Sequence, residues 1–235
     1  MSSRRRESNA ENSKNEWPLD SYVSYLRHYS CEDSRISPKS SRRYKRVSED
    51  VRREFGKAIF DLQKGEKLSM PLSRPMASVA PGVEELRVRD RSGVFRVFYY
   101  TKVADSVLIF HAFAKKTQKT PPQEIDLAQK TQGDARMKKV RPVVARNAKE
   151  LAKVLGLSPA AGMEIEFRSD LNDKIIEVVT KKGLTHSAVA RLAHTSRTRV
   201  TAILNRNTHD ISTDLMLRVL ASLGVQAKLQ FKSAA

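Results

Sequence analysis

Residues 185–206 read THSAVARLAHTSRTRVTAILNR, the pattern of two short helices joined by a tight turn. Thr185, and then Thr195/Ser196, stand where a helix needs a hydroxyl at its N-terminus. Val189, Ala190 and Ala193 give the first helix one apolar face, and Ala190 is small where two helices must cross closely. Val200, Ile203 and Leu204 hold the second helix against it. Arg197, Thr198, Arg199, Thr201 and Asn205 are left pointing outward, with Arg206 following. An exposed helix start carrying arginines and hydroxyls suits the major groove of duplex DNA. There arginine reads guanine with two hydrogen bonds, while threonine and the helix N-terminus hold phosphates. Thr185, Ser196, Arg197, Thr198, Arg199, Thr201, Asn205 and Arg206 are therefore the expected DNA contacts. The plainer reading is a solvated basic helix in a small bundle. It accounts less well for pair, turn and surface together.

Helical signals continue on both sides of this pair. Ser169 to Lys182 carries Leu171, Ile175, Ile176, Val178 and Val179 on one face and ends at Gly183. Another helix opens at Ser212/Thr213 and ends before Gly224, which sets the helix-turn-helix region at about 168–223. Upstream, a helix is expected from about Asn147 to Leu157 and a short strand at Met163–Phe167. Val225–Phe231 (VQAKLQF) alternates like a final strand. Residues 137–235 thus read as a mainly α domain.

The N-terminal part has a different rhythm. Residues 1–16 are polar and aperiodic, and 17–47 mix a few aromatics with Ser- and Arg-rich sequence, so 1–47 is expected to be disordered or irregular. Val51, Phe55, Ala58, Ile59 and Leu62 then recur at helical spacing before Gly65. After a Pro- and Ser-rich loop the period becomes two. Leu86 and Val88 alternate with Arg87, Arg89 and Arg91, and two more strands follow at Phe95–Thr101 and Val107–Phe113. Thr120-Pro121-Pro122-Gln123 starts another helix. Residues 48–130 read as an α+β domain, an antiparallel sheet with helices. Residues 131–136 read as a linker.

One face of that sheet is cationic. Arg87, Arg89 and Arg96 lie on it with Tyr99, Tyr100 and His111 among them, and Lys115, Lys116 and Lys119 follow the third strand. Cations among aromatics can clamp a phosphate backbone and stack a base. RNA cleavage by attack of a 2′-hydroxyl needs a base, a charge stabiliser and an acid, and no metal; Lys, Arg, Tyr and His can fill those roles. The plainer reading is a solvated strand face with its tyrosines in the core.

Composition bounds the partners. The 235 residues carry a net charge of +18, shared about equally between residues 1–132 and 133–235, which favours DNA, RNA or the ribosome. A single cysteine, Cys31, excludes an intrachain disulfide and a cysteine-based zinc site, and neither a metal nor another cofactor is expected. No apolar run approaches a membrane span and no signal-peptide core follows the N-terminus, so a cytoplasmic protein is expected.

Two resemblances sharpen these readings. Residues 185–206 resemble the Cro/repressor (XRE) helix-turn-helix family, and SRTRVTAILN is similar to HigA-type antitoxins. His194 stands where that family often has glycine in the turn, which implies a left-handed residue there. Residues 83–128 resemble the phage-derived HigB branch of the RelE toxin superfamily through LRVRD, FRVFYY and HAFAKKTQKTP. That resemblance implies a metal-free, ribosome-dependent mRNA interferase. It sets the two basic strand residues at Arg87 and Arg89, the transition-state arginine at Arg96 and a late basic residue at Lys116 beside Lys115. The superfamily's C-terminal tyrosine has no counterpart after Lys119, which leaves His111 or Tyr99 for proton transfer. The superfamily also opens with a strand before its first helix, a pattern that residues 1–47 do not show.

From Met137 the chain resembles the start of a HigA-type antitoxin, so the whole resembles a toxin joined end to end to its antitoxin. The implied function is autorepression at operator DNA, with the attached interferase neutralised and a homodimer formed through the antitoxin half. Two alternatives stand beside it. One is an active mRNA endonuclease working on ribosomes; the other is a plain DNA-binding regulator with a non-catalytic basic N-terminal domain.

Overall fold

The computed structural model describes residues 33–36, 40, 47–90, 93–103, 106–115, 120–136 and 143–228. The expectations for residues 1–32, for Lys116 and Lys119 and for residues 229–231 lie outside them.

Ser48 starts the first helix as its chemistry dictates, its hydroxyl accepting a hydrogen bond from the Val51 N–H. This helix, α1 (Glu49–Gln63), carries Glu49 and Asp50 in its first turn and buries Val51, Phe55, Ala58, Ile59 and Leu62. The expected strands follow as β3 (Val83–Asp90), β4 (Gly93–Val103) and β5 (Ser106–Lys115), joined antiparallel. A short edge strand, β2 (Ser73–Pro75), pairs with β3.

β2 lies in the expected loop, and two further strands were not expected either. Asp33–Ile36 forms β1, parallel to β5, and Val143–Ala145 forms β6, antiparallel to β1. The sheet runs β2-β3-β4-β5-β1-β6. The irregular extension at 1–47 therefore contains the strand that precedes the first helix, correcting the expectation that none exists. Ile36 is fully buried, in a core that it shares with residues far from it in the sequence, Phe55 and Ile109 among them. Four residues are too few to show periodicity.

The 131–136 linker is corrected as well: these residues close helix α2 (Pro122–Arg136). Beyond it, Asn147 caps α3 (Ala148–Leu155), and Gly156 ends it with φ +70°. The strand expected at Met163–Phe167 is instead the second turn of a long helix, α4 (Pro159–Lys181). Ser158 caps α4 by accepting from the Ala161 N–H, and proline occupies its first position. Met163 is 68% exposed while Ala161, Ile165 and Arg168 are buried, a helical and not an alternating pattern. Then come α5 (His186–Leu192), α6 (Arg197–Leu204) and α7 (Thr213–Ser222). Val225–Lys228 forms no strand.

Packing crosses the boundary between the two sequence patterns. One core joins Val51, Phe55, Ile59, Leu86, Val97 and Ile109 to Ala145, Leu151, Leu155 and Ile165. The opposite sheet face packs Phe98, Tyr100, Phe110 and Phe113 under Ala128 of α2. A third core binds α4 to α5, α6 and α7 through Ile175, Val189, Val200, Ile203, Met216 and Val219. At Gly56 of α1, a Cβ would meet Ile165 Cδ1 at 2.5 Å, so α1 and α4 cross in close contact. The described residues all fall within one compact unit. Among the described residues no helix is long and apolar enough to cross a membrane.

Candidate nucleic-acid interface

Two cationic surfaces stand out, one in each half of the chain. The first is the start of α6. Ser196 caps it by accepting from the Arg199 N–H, and Thr185 caps α5 by accepting from the Ala188 N–H. Thr185, Ser196, Arg197, Thr198 and Arg199 are all exposed. The turn between the helices places His194 at φ +47°, the left-handed geometry that the sequence implied.

The later turns of α6 are less free. Thr201 and Asn205 are half-buried, and the Thr201 hydroxyl lies 2.9 Å from His186 Nδ1. Arg206 is a correction. It is 7% exposed, paired with Asp173 at 2.5 Å and with Glu66 at 2.6 Å, and so faces the protein interior, away from any docked DNA.

The second surface is the β3–β4 hairpin. Register sets Arg87 opposite Arg96 and Arg89 opposite Val94, so all three arginines belong to one sheet face, as alternation required. The same face carries Glu85, which is fully buried. Arg96, itself 4% exposed, donates Nη1 to Glu85 Oε1 and, at 3.1 Å, to the Thr120 hydroxyl. Arg74 donates Nε to the other Glu85 oxygen at 2.7 Å, and Arg87 Nε lies 3.9 Å from it. Burial holds the Arg87 guanidinium below the ordinary arginine pKa, reinforced by the neighbouring Arg74 charge. Arg89 is exposed. Sequence reasoning missed Glu85, although its spacing from Arg87 and Arg89 put it on their face.

His111 pairs with Phe98 across the β4–β5 ladder and stacks on it at 5.8 Å. Its Nε2 lies 2.6 Å from Glu124 of α2, and the ring is 4% exposed. Tyr99 lies elsewhere. It packs in the α1-side core, on the opposite sheet face from Arg96, and its hydroxyl bonds Glu84 and Ser73 at 2.8 Å each. Burial drives its pKa well above that of ordinary tyrosine. The structure thus separates Tyr99 from the arginines. Lys115 ends β5 opposite Val94, beside the turn that joins β3 to β4.

Arg87, Arg89 and Arg96 line a cleft of about 1200 Å³. Its other walls come from α1, through Arg53 and Glu54, and from the loop following α6, through His209 and Asp210. Arg168 builds that loop by donating to the Thr208 and Ile211 carbonyls, both at 2.9 Å, while its Nη2 lies 3.5 Å from Glu54. Burial raises the Glu54 carboxyl pKa against the opposing pull of Arg168. A polyanion entering the cleft would meet the hairpin arginines on one side and helix-turn-helix residues on the other.

Known protein families match this two-part layout. Residues 43–132 match the family model described as phage-derived protein Gp49-like, and residues 151–232 match that of a helix-turn-helix domain. No curated protein and no solved structure matches the chain. Along its length, then, the chain is similar first to a phage-derived Gp49-like protein and then to a helix-turn-helix domain.

Proposed function

We propose that the chain is a fused toxin–antitoxin-type protein whose working activity is binding of operator DNA. The observation that carries this reading is the start of α6: Arg197, Thr198 and Arg199 stand exposed on a capped helix inside the segment similar to a helix-turn-helix domain. The N-terminal half is a HigB/RelE-like mRNA interferase domain neutralised within the same chain. Support for neutralisation comes from Arg96, whose guanidinium is already committed to Glu85 and Thr120. Further support comes from the loop at His209 and Asp210, a wall of the cleft that an mRNA strand would have to enter. In this reading the chain is cytoplasmic, represses its own promoter and binds paired half-sites as a homodimer.

Two assays on the full chain test the proposal. Enrichment from a random-sequence duplex library should yield a defined site, and the chain should leave ribosome-bound mRNA intact. Failure to enrich any duplex sinks the DNA-binding reading. An active interferase is the second reading, favoured by the room left in the cleft beside Arg87 and Arg89. It prevails if the full chain cuts mRNA on ribosomes and Arg96→Ala abolishes the cut.

A further inference from the structure

The last turn of α6 ends in a buried charge cluster to which both halves of the chain contribute. Arg206, directly after α6 and at φ +58°, pairs with Asp173 of α4 and with Glu66, and lies 3.9 Å from Asp61 of α1. One turn earlier, the Ile203 carbonyl accepts from Asn172 Nδ2 at 2.8 Å. Asn172 Oδ1 in turn accepts from Lys57 Nζ at 3.0 Å, and Lys57 pairs with Asp61 at 2.8 Å. The other Asp61 oxygen accepts from the Ser169 hydroxyl. Lys64 closes the circuit on Asp173 and Asp170. Lys57, Asp61, Lys64 and Glu66 all lie within residues 43–132, outside the segment similar to a helix-turn-helix domain.

We infer that this cluster positions the DNA-reading helix, so that residues of the Gp49-like half act as part of the DNA reader. The inference rests on the DNA-binding reading above. Three cations (Lys57, Lys64, Arg206) face three mostly buried acids (Asp61, Asp173, Glu66), and the exposed Asp170 adds to Lys64. Such a cluster is satisfied in a single docking register, because a displaced charge would be left buried without a partner. The geometry gives leverage. The eight residues of α6 form a rod about 12 Å long, so a tilt of about 10° at its anchored end moves its first turn by about 2 Å. Arg197 and Arg199 sit at that moving end, and bidentate reading of a base edge does not survive such a shift. Arg206 itself is a positioning residue; its guanidinium is spent on carboxylates.

The test uses the full chain and the duplex that the wild type enriches from a random library, with affinity measured over a range of salt beside an unrelated duplex. Arg206→Ala should weaken binding to the selected duplex by about tenfold, leave the unrelated duplex unchanged, and keep the salt dependence of the wild type. Arg206→Lys should restore part of the loss, since an ammonium reaches one of the three acids. Glu66→Gln is milder, removing one partially exposed partner of Arg206 while Asp61 and Asp173 remain, and should cost roughly threefold on the selected duplex. That variant decides the matter if Arg206→Ala does not fold. An equal loss on both duplexes with a salt slope reduced by about one would make Arg206 a phosphate contact and overturn the inference. Wild-type affinity in the folded variants overturns it too. A wild-type chain that enriches no duplex overturns the DNA-binding reading, and this inference falls with it.

Discussion

Arg96 and Glu85 are held together diagonally across β3 and β4, two residues off the register that sets Arg96 opposite Arg87. Glu85 has no exposed surface and Arg96 almost none. The arginine that resemblance marks for transition-state charge is thus neutralised from within its own sheet. Removing the carboxylate would leave Arg96 without its charge partner. Glu85→Gln is therefore expected to destabilise the chain by ~3–5 kcal/mol in chemical denaturation. A loss below ~1 kcal/mol would show that the pair contributes little.

Arg199→Ala should leave the melting temperature unchanged, because the side chain is exposed. It should cost ~1–3 kcal/mol on the selected duplex and relax the sequence preference at one position. An equal loss on every sequence would reassign Arg199 to the phosphate backbone.

Leu151 lies in the C-terminal half of the chain yet is fully buried in a core with Val51, Phe55 and Leu86. Leu151→Ala should cost ~2–5 kcal/mol and lower the melting of the β-sheet region along with everything else, in one transition. A fragment ending at residue 132 lacks Ala145, Ala148, Leu151, Leu155 and Ile165 from that core. It should not melt cooperatively. Two separable transitions in the full chain would contradict a shared core.

His194 holds φ +47°, a geometry that costs a residue with a Cβ about 1–2 kcal/mol and glycine almost nothing. Allowing for the greater unfolded-state freedom of glycine, His194→Gly should raise stability by ~0.5–1 kcal/mol. Destabilisation by that substitution would mean that the imidazole makes a contribution larger than the strain.

Tyr99 ties stability to alkaline pH. Its pKa is raised in the folded chain by burial, so the folded state keeps the phenol proton where the unfolded state has lost it. The stabilisation is fully present below the unfolded value of about 10 and declines as pH rises beyond it. Tyr99→Phe should lose ~1 kcal/mol at neutral pH, from the bonds to Glu84 and Ser73, and should flatten the decline above pH ~10. Unchanged alkaline sensitivity in the variant would place the effect on another group.

Local chemistry made part of this structure legible in the sequence. The α5–α6 pair was readable because caps, apolar spacing and turn all fall within 22 residues, and the three long strands because β3 alternates apolar residues with arginines and the two runs after it are long and rich in aliphatic and aromatic side chains. Where the pattern was short or local, it misled. Met163–Phe167 alternates like a strand over five residues, yet the Ser158-Pro159 start and the spacing of Ala161, Ile165 and Leu171 carry a helix through it. Asp33–Ile36 is a strand by virtue of what lies beside it, Ser106–Ile109 on one side and Val143–Ala145 on the other. Arg206 shows the limit for function. Its position after a basic helix suggests DNA, but the acids that claim it, Asp61 and Glu66, lie far off in the sequence and nothing local announces them. Tyr99 was legible without the fold: it stands three residues from Arg96, an odd spacing that puts it on the opposite face of β4.

The strand Val143–Ala145 completes the sheet from beyond the helix that ends at Arg136. Its consequence concerns turnover. A regulator made of two separate chains can be switched by destroying one and sparing the other. Here a protease that removed everything after residue 142 would also strip β6, α3 and the α4 face from the core that the remaining residues need. The two halves are made in equal number and are lost together, so degradation has no means of sparing one while removing the other.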